Sequence, residues 1–167
     1  MMDIPLRLLR SAVHVTACGL LVIAVISVLR EDRVAEAVGG VLLGLLYASG
    51  PAIESRWPLV RSGRFGLIMA GWVGLVTAGW VALAVAAAPF VWLAFPLLFA
   101  YLDVLPLWGA MFGVGALTTA TILMAAWHAG ELTVPLMIGP GVAAVVVTLL
   151  ALACKALHAE VQERRAE

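Results

Sequence analysis

Charged residues are scarce in this sequence. Only 12% of its 167 residues are Asp, Glu, Lys or Arg, and the formal net charge is zero. A balanced chain with so few charges offers no basic face to phosphates, so we expect no nucleic-acid partner. Cysteine is equally scarce: Cys18 and Cys154 stand in separate apolar runs, and neither has a second Cys nearby. We therefore predict inert thiols and no metal site.

Catalytic signatures are also missing. The sequence has no glycine-rich dinucleotide fingerprint, no phosphate loop, no Cys-x-x-Cys and no Gly-x-Ser-x-Gly. We predict no catalytic residue and no cofactor in this chain. A haem between His14 and His128 is rejected, because the topology inferred below separates them by roughly a membrane thickness.

What the sequence has in excess is apolar residues, which make up 64% of the chain and give a mean hydropathy of +1.10. A membrane-spanning helix needs about 20 such residues. The runs at 11–29, 34–49, 65–87, 90–105, 107–127 and 133–155 therefore predict an all-α integral membrane bundle with six transmembrane helices. The first run is too long for a signal peptide, so we expect it to be retained.

Prolines refine these boundaries. Gly50-Pro51 is expected to close the second span, Pro96 to kink the fourth, and Pro106 to end it. Pro140 is expected to bend the sixth. Five spans are the alternative if the fourth run is re-entrant, which would put the charged tail outside.

Orientation follows from Lys and Arg in the short loops, because these residues resist translocation. Six spans with both termini in the cytoplasm leave only Arg30 and Arg33 outside. The eight inner residues are Arg7, Arg10, Arg56, Arg61, Arg64, Lys155, Arg164 and Arg165. We therefore predict cytoplasmic termini in a multi-pass plasma-membrane protein, with the lipid bilayer as its solvent.

Small residues recur at intervals of four, which places them on one helix face. The clearest series is Gly66, Ala70, Gly74 and Ala78 in the third span. Gly40 and Gly44 in the second span and Gly109 and Gly113 in the fifth repeat the spacing. Such stripes allow close helix packing, and we favour packing within the bundle over a dimer face.

Four ionisable residues near span ends are candidate sensing residues, because charge inside lipid is costly. His14 and Asp103 fall near the predicted cytoplasmic boundary, where the topology allows Asp103 to contact His14 or an Arg at a helix end. His128 and Glu131 lie three residues apart at the outer end and could respond to acidification or bind a cation. For both pairs the alternative interpretation is that the side chains only contact lipid head groups and water at the membrane interface.

The charged C-terminal segment at 156–167 has a sequence pattern of its own. Leu157 and Val161 are apolar and four apart, with Glu160, Glu163 and Arg164 around them. This pattern is typical of the start of a two-stranded helical linker, while a short juxtamembrane end is the alternative. We therefore divide the chain into a membrane domain at 1–155 and the start of a cytoplasmic linker at 156–167.

Three segments resemble a known family: Trp92-Leu-Ala-Phe-Pro-Leu-Leu98, Glu131-Leu-Thr-Val-Pro-Leu-Met-Ile-Gly-Pro140 and Glu160-Val-Gln-Glu-Arg-Arg165. They are similar to the membrane input region of actinobacterial sensor histidine kinases of the NarL and DesK-like class. The resemblance implies a homodimer that reaches a kinase core or response regulator through domains not in this chain. No phosphoacceptor motif is present, so none of the three histidines inherits that role.

The leading hypothesis is therefore the input module of a two-component histidine kinase, either truncated or acting beside a separate partner. A small transporter or transporter subunit is the runner-up. A structural membrane protein without either activity is the third.

Overall fold

The computed structural model describes residues 4–56 and 63–166. Its helices are α1 (Ile4–Arg30), α2 (Val34–Arg56), α3 (Gly63–Ala86), α4 (Ala94–Val104), α5 (Leu107–Ala129) and α6 (Val134–Ala166). A 3₁₀ helix at Ala88–Leu93 joins α3 to α4. Arg61, used above for orientation, lies outside the described residues.

The helices have the length and composition of a membrane protein. Four of them carry runs long and apolar enough to cross a bilayer: Arg7–Arg30, Gly66–Ala86, Leu107–Ala129 and Val134–Ala166. Two apolar stretches are shorter, Val34–Gly50 and Ala88–Val104. Large apolar side chains such as Val15, Leu42, Leu67, Phe112 and Leu149 point outward. An outer surface of this kind is stable in lipid and would aggregate in water.

The 3₁₀ helix and α4 form the centre of the bundle. α4 packs against α1, α3, α5 and α6, and the 3₁₀ helix packs against α1, α3 and α5. Most of their apolar side chains are accordingly buried, including Phe90, Val91, Leu93, Leu97, Leu98 and Leu102. One of the two shorter apolar stretches, Ala88–Val104, therefore occupies the position most shielded by neighbouring helices.

Trp80 and Phe90 fix the junction between α3 and the centre. Both are fully buried, and the Trp80 indole Nε1 donates a hydrogen bond to the Phe90 carbonyl oxygen at 2.9 Å. Pro89 cannot donate the bond that would continue α3, and the Phe90 amide donates to Ala87 three residues back, which is the 3₁₀ pattern.

Two proline predictions differ from the structure. The helix break near the fourth run comes before Ala94, so Pro96 is the third residue of α4 rather than an interior kink. At that position its missing N–H leaves no helical carbonyl unpaired. The apolar stretch of α2 ends at Gly50, where the second span was predicted to close, but the helix itself continues through Pro51 to Arg56.

Long-range hydrogen bonds define two ends of the bundle. Arg10, Asp103 and Lys155 meet at one end, named here the Asp103 end. Arg33, His128 and the last turn of α3 meet at the other, the His128 end. The helix α6 passes through the Asp103 end without interruption at the 155/156 boundary and continues to Ala166.

Candidate functional site

An ion pair joins α1 to the end of α4. Arg10 Nη2 lies 2.9 Å from Asp103 Oδ2, with 55% and 59% of the two side chains exposed. Asp103 is the penultimate residue of α4, so the pair ties the central helix to the start of α1. Of the two contacts that the predicted topology allows for Asp103, the structure has the one with an arginine.

Lys155 attaches α6 at the same place. Its Nζ donates a hydrogen bond to the Leu102 carbonyl oxygen at 2.5 Å. This carbonyl belongs to the last turn of α4, where the helix has no further N–H to offer and a cation is favoured. Within the part of the chain that the structure describes, no carboxylate pairs with Lys155.

Three aromatic rings lie just inside this charged cluster. The His14 and Tyr47 rings are edge to face with centroids 5.7 Å apart, and Tyr47 lies 6.1 Å from Trp72. The Trp72 indole Nε1 donates to the Leu46 carbonyl oxygen at 2.9 Å. These contacts hold rings from α1, α2 and α3 together at one level of the bundle.

Two cavities lie side by side in the bundle, and both have His14 and Tyr47 among their lining residues. The outer cavity has a volume of about 360 Å³ and is lined by Arg10, Asp103 and Lys155 among others. The inner cavity, of about 260 Å³, extends between α1, α2, α3 and α4 as far as Trp80. Its remaining lining is almost entirely apolar: Ala17, Cys18, Leu21, Leu43, Gly44, Ala48, Val76, Leu93, Pro96 and Leu97.

The other two candidate residues, His128 and Glu131, lie at the opposite end of the bundle. A His128 ring nitrogen, Nε2, lies 2.7 Å from the Ala84 carbonyl oxygen, and Arg33 Nη2 donates to the Ala86 carbonyl oxygen at 2.7 Å. Arg33 also pairs with Glu36 at 2.7 Å. His128 and Arg33 thus both contact carbonyls at the C-terminal end of α3, while Glu131 is exposed. The structure brings His14 and Asp103 to one cavity but leaves His128 and Glu131 at the opposite end.

Small residues serve packing at some positions only. A Cβ added at Gly40 would lie 2.8 Å from Phe90 Cε1, and one at Gly113 would lie 2.9 Å from Tyr101 Cδ1. A Cβ at Gly44 would meet the Leu21 side chain, whereas one at Gly109 would make ordinary contacts with Pro106. These glycines lie at close helix or loop contacts.

The series on α3 lies on the outer surface instead. Gly66, Ala70, Gly74 and Ala78 are all exposed, and a Cβ at Gly66 or Gly74 would meet no atom within 4 Å. These four residues therefore make no close packing within the described bundle, contrary to the favoured interpretation of the stripe.

Metal and thiol chemistry have no geometric support in the described residues. No group of three or more His, Cys, Asp or Glu side chains comes together there. Cys18 and Cys154 are both free thiols in this region, lining the inner and the outer cavity respectively.

No family model, curated protein or solved structure matches the chain. What its site can do must therefore be argued from its own geometry. That geometry combines a charged entrance, a ring of aromatic side chains and an apolar interior. It suits the binding of a molecule, or the transmission of a movement, better than bond-making chemistry.

Several residues of this site were absent from the sequence-based set of candidates. Lys155 was counted only as a charge near a span end, and Arg10 was in addition only one of the arginines that Asp103 could contact. Tyr47 and Trp72 were only parts of apolar runs. The sequence feature that could have revealed them is a polar side chain at the end of an apolar run, because such a side chain can reach the end of a neighbouring helix. Tyr101, whose hydroxyl lies 2.6 Å from the Thr77 hydroxyl, gave no comparable signal.

Proposed function

We propose that the chain is the membrane-embedded input module of a two-component sensor histidine kinase. The observation that carries this proposal is the unbroken helix α6, which has 33 residues from Val134 to Ala166. At about 1.5 Å per residue it is roughly 50 Å long, well beyond a hydrocarbon core of about 30 Å. In the proposed arrangement this one continuous helix, which has Pro140 inside it, runs from the membrane into water.

We further propose six membrane crossings with the Asp103 end in the cytoplasm of a plasma-membrane protein. The contacts Arg10–Asp103 and Lys155–Leu102 support this arrangement, since they place the start of α1 and the exit of α6 at one end. Surplus Lys and Arg on that side agree with the usual bias. Reporter fusions after residue 130 and after residue 166 test it: activity of a cytoplasmic reporter only at 166 supports six spans, and the reverse pattern contradicts them.

The exposed part of α6 supports a homodimer. Leu157 is 60% exposed, and Val161 lies one turn further along the same face. Glu160 and Arg164 pair at 2.7 Å beside this apolar strip. Apolar seam positions with charged flanks are what a parallel two-stranded linker uses. In the proposed assembly two α6 helices pair here and lead to the dimerisation and ATP-binding domains of a kinase core.

The proposed output is a movement of α6 relative to α4 and α1. Packed helices respond to a stimulus by small shifts between alternative arrangements, and a continuous helix carries such a shift along its length. The contacts of Lys155 with Leu102 and of Asp103 with Arg10 lie where α6 leaves the bundle. A change in either contact would alter the position of the exit helix.

The direct test is fusion of this chain to the dimerisation and ATP-binding domains of a histidine kinase, followed by reconstitution in liposomes. Autophosphorylation that changes with membrane fluidity, pH or antibiotic stress supports the proposal. Gln162→Pro should abolish the response, because proline interrupts the exit helix, and Gln162→Ala is the matched control. Constant activity of the intact fusion under all three conditions contradicts the proposal.

A small transporter is the second candidate, favoured by the two cavities that meet at His14 and Tyr47. Transport requires access from both faces in turn. Solute flux into proteoliposomes that hold the chain alone would favour this candidate over an input module.

A further inference from the structure

We infer that the two cavities together form a binding site for a single-chain amphiphile with a carboxylate head group. The head group lies in the outer cavity near Arg10 and Lys155, and the chain extends past His14 and Tyr47 toward Trp80. This inference goes beyond the signalling proposal and is tested without any kinase domain.

The shape of the space supports an elongated ligand. The outer and inner cavities, of about 360 and 260 Å³, share His14 and Tyr47 as lining residues. Taken together they fall within the range of roughly 300–1,000 Å³ that is typical of small-molecule sites. The lining residues on α1 extend from Leu9 to Leu21, so the space runs along the helix for several turns.

The chemistry of the lining changes along this path. Arg10, Asp103 and Lys155 line the outer cavity, giving two cationic groups and one anionic group. Arg10 pairs with Asp103, while Lys155 donates to the neutral Leu102 carbonyl oxygen. Among the residues that the structure describes, no carboxylate pairs with Lys155, and this cation favours an anionic head group over a cationic one.

The inner cavity favours a hydrocarbon chain over water. Beyond the His14 and Tyr47 rings its lining offers aliphatic side chains, the Cys18 thiol and the Trp80 indole. The Trp80 N–H already donates to the Phe90 carbonyl oxygen. A bound water needs two to four polar partners, which this lining does not supply, whereas an apolar chain gains by leaving water.

Trp80 provides the means to detect the ligand. Its side chain is fully buried in the bundle and lies at the inner end of the path. Trp92, Trp108 and Trp127 are 48%, 90% and 79% exposed and will contact any amphiphile dissolved in the bilayer. A bromine atom at the end of the chain should therefore quench Trp80 most strongly when the chain occupies the inner cavity.

The experiment titrates the full chain in lipid nanodiscs with 12-bromododecanoate and records tryptophan fluorescence. We expect a saturable component of quenching above a linear background. Trp80→Phe should remove most of that component, because Trp72, the other tryptophan that lines the site, contacts only the outer cavity, away from the bromine at the chain end. Ala48→Phe, which fills the inner cavity, should remove it as well. Ala82→Phe changes another exposed alanine that does not line either cavity and should leave it unchanged.

The head group is tested with the same chain carrying other groups. The saturable component should be at least about tenfold weaker for 12-bromododecanol and for the trimethylammonium analogue, which corresponds to about 1.4 kcal/mol. Lys155→Met should weaken the carboxylate but not the alcohol. Equal affinity for all three head groups, or linear quenching alone, overturns the inference. Native mass spectrometry of a 1:1 dodecanoate adduct provides a second readout if Trp80→Phe does not fold.

Discussion

Lys155 on α6 reaches the carbonyl oxygen of Leu102 on α4, with 2.5 Å between Nζ and O. These two residues connect the most shielded helix of the bundle to the helix that leaves it. The next residue of α4, Asp103, pairs with Arg10 on α1. Three helices are thus joined at one point, where a movement of the central helix would be passed to the exit helix.

Replacing Lys155 by Met should loosen this connection. The substitution keeps most of the side-chain length but removes the donor to Leu102, and we expect a loss of about 1 kcal/mol in the free energy of unfolding. SDS-induced unfolding in mixed micelles measures it. Lys155→Arg retains donors and should lose less; equal losses for the two variants would contradict the role assigned to the hydrogen bond.

The pair of Arg10 and Asp103 should be coupled only weakly. Both side chains are more than half exposed, so a double-mutant cycle with Arg10→Ala and Asp103→Ala should give about 0.2–1 kcal/mol. The same unfolding assay applies to the two single variants and the double variant. Additive effects, with no coupling energy, would show that the ion pair contributes nothing to the attachment of α1.

Trp80→Phe should destabilise the bundle by about 1–3 kcal/mol. The change removes the indole donor and leaves the Phe90 carbonyl oxygen without that partner in the interior. Trp108→Phe is the matched control, because Trp108 is 90% exposed and should have little effect. A similar loss for both variants would argue against the junction described for α3 and the 3₁₀ helix.

Gly40→Ala and Gly74→Ala should have opposite effects. A Cβ at Gly40 meets the fully buried Phe90 ring, so we expect a loss of about 1–3 kcal/mol in stability. A Cβ at Gly74 meets nothing within 4 Å, and alanine stabilises a helix by roughly 0.5–1 kcal/mol relative to glycine. Destabilisation by Gly74→Ala in the monomer would place the α3 stripe inside the packing after all.

The turn between α1 and α2 offers a fifth test by substitution. Asp32 has a φ of 58°, in the left-handed region, and the Arg33 amide donates to the Val28 carbonyl oxygen across the turn. Asp32→Gly should stabilise the protein slightly, whereas Asp32→Val should cost about 1–2 kcal/mol. Thermal unfolding in detergent ranks the three proteins; Val ranking with Gly would contradict the left-handed geometry.

Much of the fold was available from the sequence, because lipid demands long apolar helices and the charged or proline-containing breaks between them are easy to see. The predicted fifth span at 107–127 and the observed α5 at Leu107–Ala129 show how closely such boundaries can be placed. Prolines were harder to interpret: α2 continues past Pro51 to Arg56, and Pro96 lies in the first turn of α4, where its missing N–H does not kink the helix.

The site was less accessible from the sequence, because it depends on which faces meet. The spacing of Gly66, Ala70, Gly74 and Ala78 predicts a smooth face but not whether it points inward. The partners of Lys155 and His128 are main-chain carbonyls on distant helices, which leave no trace in residue type. The cavities arise from the packing of α1, α2, α3 and α4, and no single segment encodes them.

The central claim, that α6 transmits a signal as one continuous helix, is tested most directly by an insertion scan in the kinase fusion. One to seven alanine residues are added after Ala159, and autophosphorylation in liposomes is measured for each insertion. A two-stranded linker repeats every seven residues, so activity should change strongly at intermediate lengths and return near the original level at seven. The same activity at every length would contradict the account.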